Sequence, residues 1–245
     1  MTIGDLHQAA RTLMVAIDKD PSSTAASDRL AQLYRDKGDQ KALVALLEKL
    51  VKSLTPLMAD RPEVRAQLMA MHEELGRLWS EPPFGRPERA VENWRRLAEL
   101  DPQNAYAIYA AREMLKAQQQ FAEAIPFFAM EQAIVDDPER KLALFRDEAE
   151  TRKRVGDLPG ATQALRGARG LRGDDAALKQ ELGVVILERI AGGEAVPEAD
   201  RQEAAALFIS LAEVYDGEYG LSYSVSALKA LPGSDRAMQL ADYYG

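Results

Sequence analysis

Two histidines, His7 and His72, are the side chains best suited to proton transfer or metal ligation near neutral pH. They fall on different helical patterns, and neither has an Asp, Glu or His partner at metal-ligand spacing. "MHEEL" around His72 is not the H-E-x-x-H zinc motif. The acidic pairs Asp136-Asp137, Asp174-Asp175 and Glu73-Glu74 raise the idea of general acid–base chemistry. Two of the three stand at helix starts, where a carboxylate complements the helix dipole. Gly156, Gly160, Gly167, Gly170 and Gly173 are spaced neither as a P-loop nor as a dinucleotide fingerprint. Arg166, Arg169 and Arg172 step by three and fall near one helix face, which could contact a phosphate or an acidic peptide; a solvated outer face is the plainer reading. With no cysteine there is no thiolate nucleophile, disulfide or thiolate zinc site. The expectation is a protein that is not an enzyme, with no catalytic residue, cofactor or metal.

The elements that hold these residues are helical. Aromatics make up 7% of the 245 residues, and Ala, Leu, Glu and Arg dominate, which argues against a sheet protein. A net charge of −8 opposes nonspecific nucleic-acid binding, which needs a basic face. Apolar runs such as Val184 to Leu187 are far below the roughly 20 residues of a membrane span. The first residues, "MTIGDLHQAARTLMVAIDKD", lack the apolar core of a signal peptide. Together these predict a cytoplasmic protein with no nucleic acid and no membrane insertion.

Apolar residues recur at helical spacing almost throughout: Leu6, Ala10, Leu13, Met14 and Ile17 share one face, as do Leu43, Leu46, Leu47 and Leu50. Breakers such as "DKGDQ", "EPPFGRPE", "VGDLPG" and "AGGEAVPEAD" interrupt them. The spacing predicts helices near 3–18, 24–37, 40–54, 62–80, 87–100, 105–118, 122–135, 138–155, 158–170, 175–191, 201–215, 219–230 and 235–244. Asp39, Asn104 and Asp137 are expected N-caps, and Asp200 with Glu203 has capping-box spacing. Pro126 inside "FAEAIPFFAM" implies either a helix start near Glu123 or a kink.

A longer period overlies the helices. Ala90-x3-Trp94-x7-Pro102 has a counterpart in Ala9-x3-Leu13-x7-Pro21, and Ala124-x3-Phe128 follows Ala90 and Trp94 by 34 residues. Ala161-x3-Leu165 continues the series. In the other helix of each pair, Gly76, Arg112, Ala149 and Gly183 mark a position that favours a small residue, and Arg112 departs from it. "GDQKAL" and "GDLPGA" are matching turns.

With Leu75-Gly76-x2-Trp79 ahead of Ala90-x3-Trp94, this resembles the tetratricopeptide repeat (TPR) family, in a degenerate, bacterial-type form. The resemblance implies an all-α, right-handed superhelical solenoid of antiparallel helix-turn-helix repeats. Residues 1–245 would be one such array: a half repeat over 3–18, repeats over 24–54, 62–102, 105–136 and 138–172, and divergent helices over 175–245. Trp79 and Trp94 would then fill the wedge of one hairpin rather than stack on a cofactor.

The resemblance also implies a function. In TPR proteins the first helices line a groove that takes a peptide, so a scaffold with a protein or peptide partner on the concave face is expected. Matching the repeat places Asp28, Gln32 and Arg35 there, then Glu73 and Arg77, then Tyr106, Tyr109, Glu113 and Lys116, then Arg146, Glu150 and Lys153. Tyr106 and Tyr109 are the anchors of choice, being amphipathic and low in rotamer entropy. Asp28 and Gln32 stand where a carboxylate clamp would carry Lys and Asn, so capture of a C-terminal carboxylate is not supported. Neither end of the series carries an evident polar cap, and the alternative reading is a self-associating segment of a longer array, with homo-association through those ends.

Overall fold

A computed structural model describes residues 3–245, with side chains from His7 onward; the expected apolar contact of Leu6 lies outside the described residues. Thirteen α-helices and no strand are found among the described residues. They are α1 (Ile3–Lys19), α2 (Thr24–Asp36), α3 (Gln40–Leu54), α4 (Pro62–Ser80), α5 (Pro87–Leu100), α6 (Ala105–Ala117), α7 (Phe121–Ile134), α8 (Pro138–Arg154), α9 (Leu158–Leu171), α10 (Ala176–Ala191), α11 (Glu198–Ala212), α12 (Gly217–Ala230) and α13 (Asp235–Tyr244). A short 3-10 turn over Thr55–Leu57 follows α3. The chain forms two compact units, residues 1–118 with α1 to α6, and residues 119–245 with α7 to α13. Within each unit every helix packs on its neighbours in chain order.

Local chemistry explains the turns. Gly38 and Gly156 adopt positive φ, at 66° and 77°. Each closes its helix with a Schellman pattern: Asp39 N–H donates to Tyr34 O at 2.9 Å and Asp157 N–H to Arg152 O at 2.9 Å. The same aspartates then cap the next helix, accepting from Ala42 N and Gly160 N. Asn104 and Asp137 cap as expected, accepting from Ala107 N and Glu139 N. Asp200 does not. α11 starts at Glu198 behind Pro197, because Pro supplies a φ that precedes a helix well, and the Asp200 carboxylate turns to arginines instead. α7 begins at Phe121, so Pro126 lies inside it. The carbonyl deprived of a partner is that of Ala122, which is exposed and open to water.

Hairpin cores are built on a small residue under a large one. An added Cβ on Gly76 of α4 would meet the Trp94 indole of α5 at 2.6 Å. In α10, Gly183 lies in the same way under Phe208 of α11, and in α12, Gly220 under Tyr244 of α13. Trp94 is 1% exposed and Phe208 2%. Glycine lets the two backbones approach to a distance that any side chain would prevent. α10–α11 and α12–α13 thus carry the same glycine-under-aromatic contact as α4–α5. Arg112, in the corresponding place on α6, is buried, with its guanidinium 2.8 Å from Glu113 and over the Tyr109 ring.

Candidate functional site

In the second unit the first helices of successive hairpins, α8, α10 and α12, lie side by side. Arg146 of α8 pairs with Glu181 of α10, its Nε 3.2 Å from the carboxylate. Tyr223 of α12 donates its phenol to Gln180 of α10 at 3.1 Å. Between α8 and α10 is a cleft of about 490 Å³. Arg146, Glu150, Lys153, Gln180 and Glu181 surround it with the exposed Ala177 and Val184, over a floor of Ala149, Leu165 and Val185. The expected groove residues Arg146, Glu150 and Lys153 are thus brought together, about one turn apart on α8. Lys153 stands 3.9 Å from Glu150. The charges around this cleft are matched in pairs, two basic and two acidic.

Aromatic side chains border α10 and α12. Tyr223 stacks on Phe208 at 6.3 Å and lies tilted against Tyr215 at 5.8 Å. Burial, with Tyr215 and Tyr219 adding to it, pushes the Tyr223 phenol above its ordinary value, so it stays a neutral donor to Gln180. Tyr219 is 70% exposed. Sequence reasoning missed Gln180, Glu181, Val184, Tyr219 and Tyr223. The signal for the first three was present: Leu182-Gly183 sets the register of α10, as Ala149 sets that of α8.

The residues expected from the first unit have other surroundings. Arg35 of α2 makes a two-point contact with Glu74 of α4, at 2.7 and 2.6 Å. Glu73 and Arg77 pair with each other. Lys116 reaches Glu113 at 3.2 Å. Tyr106 is 59% exposed, yet its ring edge rests on Trp94 at 5.1 Å. Trp94, between Tyr106 and Gly76, has no open face for a stacked ligand. Trp79 lies against Phe84 and under the Arg89 guanidinium.

Arg166 and Arg169 of α9 and Arg172 just after it are each paired with a carboxylate, and Arg172 remains half exposed. Arg166 contacts Asp200 and Glu203 of α11, Arg169 contacts Glu203, and Arg172 contacts Glu139 of α8. Beside them Arg189, 6% exposed on its side chain, binds Asp200 at 2.8 Å and Glu194 at 2.6 Å. This network ties the long α10–α11 connection to the hairpin body. His72 is buried with Nδ1 2.9 Å from Asn93 Oδ1, and burial holds its pKa below the ordinary value despite that hydrogen bond. No group of three metal-ligating side chains occurs among the described residues.

Small-under-large hairpins, Gly-Asp turns and contacts running in chain order recur along the helices. Each unit is a run of consecutively packed antiparallel helices. No protein-family model matches it, and no curated protein matches its sequence. Among solved structures, a MamA protein is 16% identical, covering 84% of this chain and 91% of its own, with a TM-score of 0.38. YrrB, described as a TPR protein with an unusual peptide-binding site, is 17% identical over 78% of this chain and 99% of its own, with a TM-score of 0.35. A TPR protein from Parabacteroides merdae is 15% identical over 98% of this chain and 92% of its own, with a TM-score of 0.34. No helix among the described residues is long and apolar enough to cross a membrane.

Proposed function

We propose that the protein is a non-enzymatic scaffold that binds an extended segment of a partner protein in the cleft between α8 and α10. The observation that carries this reading is the composition of that cleft. Its floor of small and branched apolar side chains accepts a short apolar side chain. Gln180, fixed by Tyr223, offers amide groups to a peptide backbone. Because Arg146 and Lys153 already face Glu181 and Glu150, a strongly charged ligand gains little. Tyr219 adds an amphipathic surface close by.

The test is selection from a random peptide display library on the intact protein, with Ala177→Trp as the counter-target. Ala177 is exposed on the cleft wall, so Trp blocks the space without entering the core. Peptides enriched on the wild type and lost on Ala177→Trp support the reading. Equal enrichment on both, or none on either, rejects it.

A further inference from the structure

His72 is only 8% exposed, yet one of its ring nitrogens has no hydrogen-bond partner among the described residues. The bonds around the ring show which one. Asn93 Nδ2 donates to the Arg89 carbonyl at 2.8 Å, which leaves Asn93 Oδ1 facing the imidazole. Oδ1 can only accept, so Nδ1, 2.9 Å away, carries the ring proton. In the neutral ring Nε2 is then a bare acceptor. Native structures seldom leave a buried acceptor without a donor. His72 lines a cleft of about 590 Å³ in the first unit, between α3 and α5 with α4 beneath, a volume in the range of small-molecule pockets. Leu68 and Leu75 share the α4 floor with His72, and Val51, Met58 and Leu100 add apolar surface from the sides.

The charges at the rim balance. Glu48 pairs with Arg89 at 2.8 Å, and Arg96 lies between Glu92 and Glu99, 3.3 and 2.8 Å away. Lys52, with no ion-pair partner among the described residues, offsets the second of those glutamates. No net charge is left to select an ion. Burial, with Arg96 adding to it, outweighs Asn93, Glu92 and Glu99 and holds the His72 pKa below its ordinary value, so the ring is neutral at pH 7. The same burial disfavours a cationic ligand. We infer that this cleft binds a small, uncharged aromatic molecule of the phenol class, its hydroxyl donating to His72 Nε2 and its ring lying on the leucines. A phenol is a stronger donor than an aliphatic alcohol, and its flat apolar face suits Leu68 and Leu75. A thioether such as that of Met58 also favours aromatic contact. This site does not depend on the α8–α10 cleft.

The probes are para-ethylphenol and its methyl ether, which keeps the shape and lacks the donor. Each is titrated into the intact, isotope-labelled protein above the ordinary histidine pKa of about 6.5. The ring nitrogens are followed by nuclear magnetic resonance; the chain has two histidines, so His7→Gln assigns the signals of His72. The phenol should bind saturably with a Kd below about 1 mM and move the His72 Nε2 signal away from that of a bare acceptor. The ether should bind at least about tenfold more weakly, and His72→Phe should bind the two alike. Lys52 is exposed and breaks no ion pair when replaced, so Lys52→Trp should fill the mouth without disturbing the fold and weaken the phenol at least about tenfold. No saturable binding up to about 5 mM phenol, or an Nε2 signal unmoved at saturation, overturns the inference. So does an ether that binds as tightly as the phenol, or a phenol bound equally by Lys52→Trp.

Discussion

Trp94 lies over Gly76 so closely that the smallest side chain on that glycine would come within 2.6 Å of the indole. Helix propensity and packing therefore act in opposite directions there. Alanine favours a helix over glycine by about 1 kcal/mol. Overpacking against a buried indole costs about 1–3 kcal/mol. Gly76→Ala should lower stability, by up to about 2 kcal/mol, read as a lower urea midpoint. Gly170 of α9 is the control: a Cβ there meets nothing within 4 Å, so Gly170→Ala should raise stability by about 0.5 kcal/mol. If the two substitutions behave alike, the wedge is not what limits position 76.

Gln119 adopts a positive φ of 59°, directly before the N-cap of the next helix, as Gly38 and Gly156 do in the α2–α3 and α8–α9 turns. A side chain in that conformation costs about 1–2 kcal/mol, of which part is regained by the smaller entropy of unfolded Gln. Gln119→Gly should stabilise the chain by about 0.5–1 kcal/mol, measured by the same urea titration. A decrease would show that the Gln119 side chain contributes more than its backbone costs.

The array was legible where its period was kept. Gly76, Ala149 and Gly183, the Ala-x3-large pairs and the two Gly-Asp turns located hairpins from one sequence. The period fails at "AGGEAVPEAD", where the connection lengthens, and Ala204-x3-Phe208 then falls out of step although its pattern is intact. That is why α11 could not be paired and why Tyr223 was missed. Asp200 and Glu203 had the spacing of a cap, but only the packing of α9 on α11 reveals that arginines claim both carboxylates. The two partners of such a contact belong to different repeats, so spacing within a helix carries no trace of it.

Burial acts to raise the pKa of Asp200, and hydrogen bonds from Arg166 and Arg189 more than offset it, holding the carboxyl below its ordinary value. The unfolded chain therefore takes up this proton at a higher pH than the folded one. The network's contribution is complete above the ordinary aspartate value of about 3.9 and is lost as pH falls through the lower folded value. Urea midpoints from pH 7 down to pH 3 should fall less steeply for Asp200→Asn than for the wild type. Equal slopes would remove Asp200 from the acid response.

His72 responds in a different window. Its folded pKa lies below the ordinary value because burial disfavours the imidazolium, so the unfolded chain binds the proton first. Stability is highest above about pH 6.5 and declines as pH falls through the folded value. In His72→Gln this decline should disappear, leaving the midpoint flat between pH 7 and the carboxylate range. Persistence of the decline would assign it to another group.

Arg146 on Glu181 and Arg35 on Glu74 leave the exposed faces of successive first helices locally neutral at each crossing. Fields from paired charges die away within a few ångströms, so these two pairs add little pull at a distance. A partner of the proposed α8–α10 cleft would gain little steering from them, and removing either pair should change its association rate little. Residence time, set by how well shapes fit after collision, then decides which visitors stay.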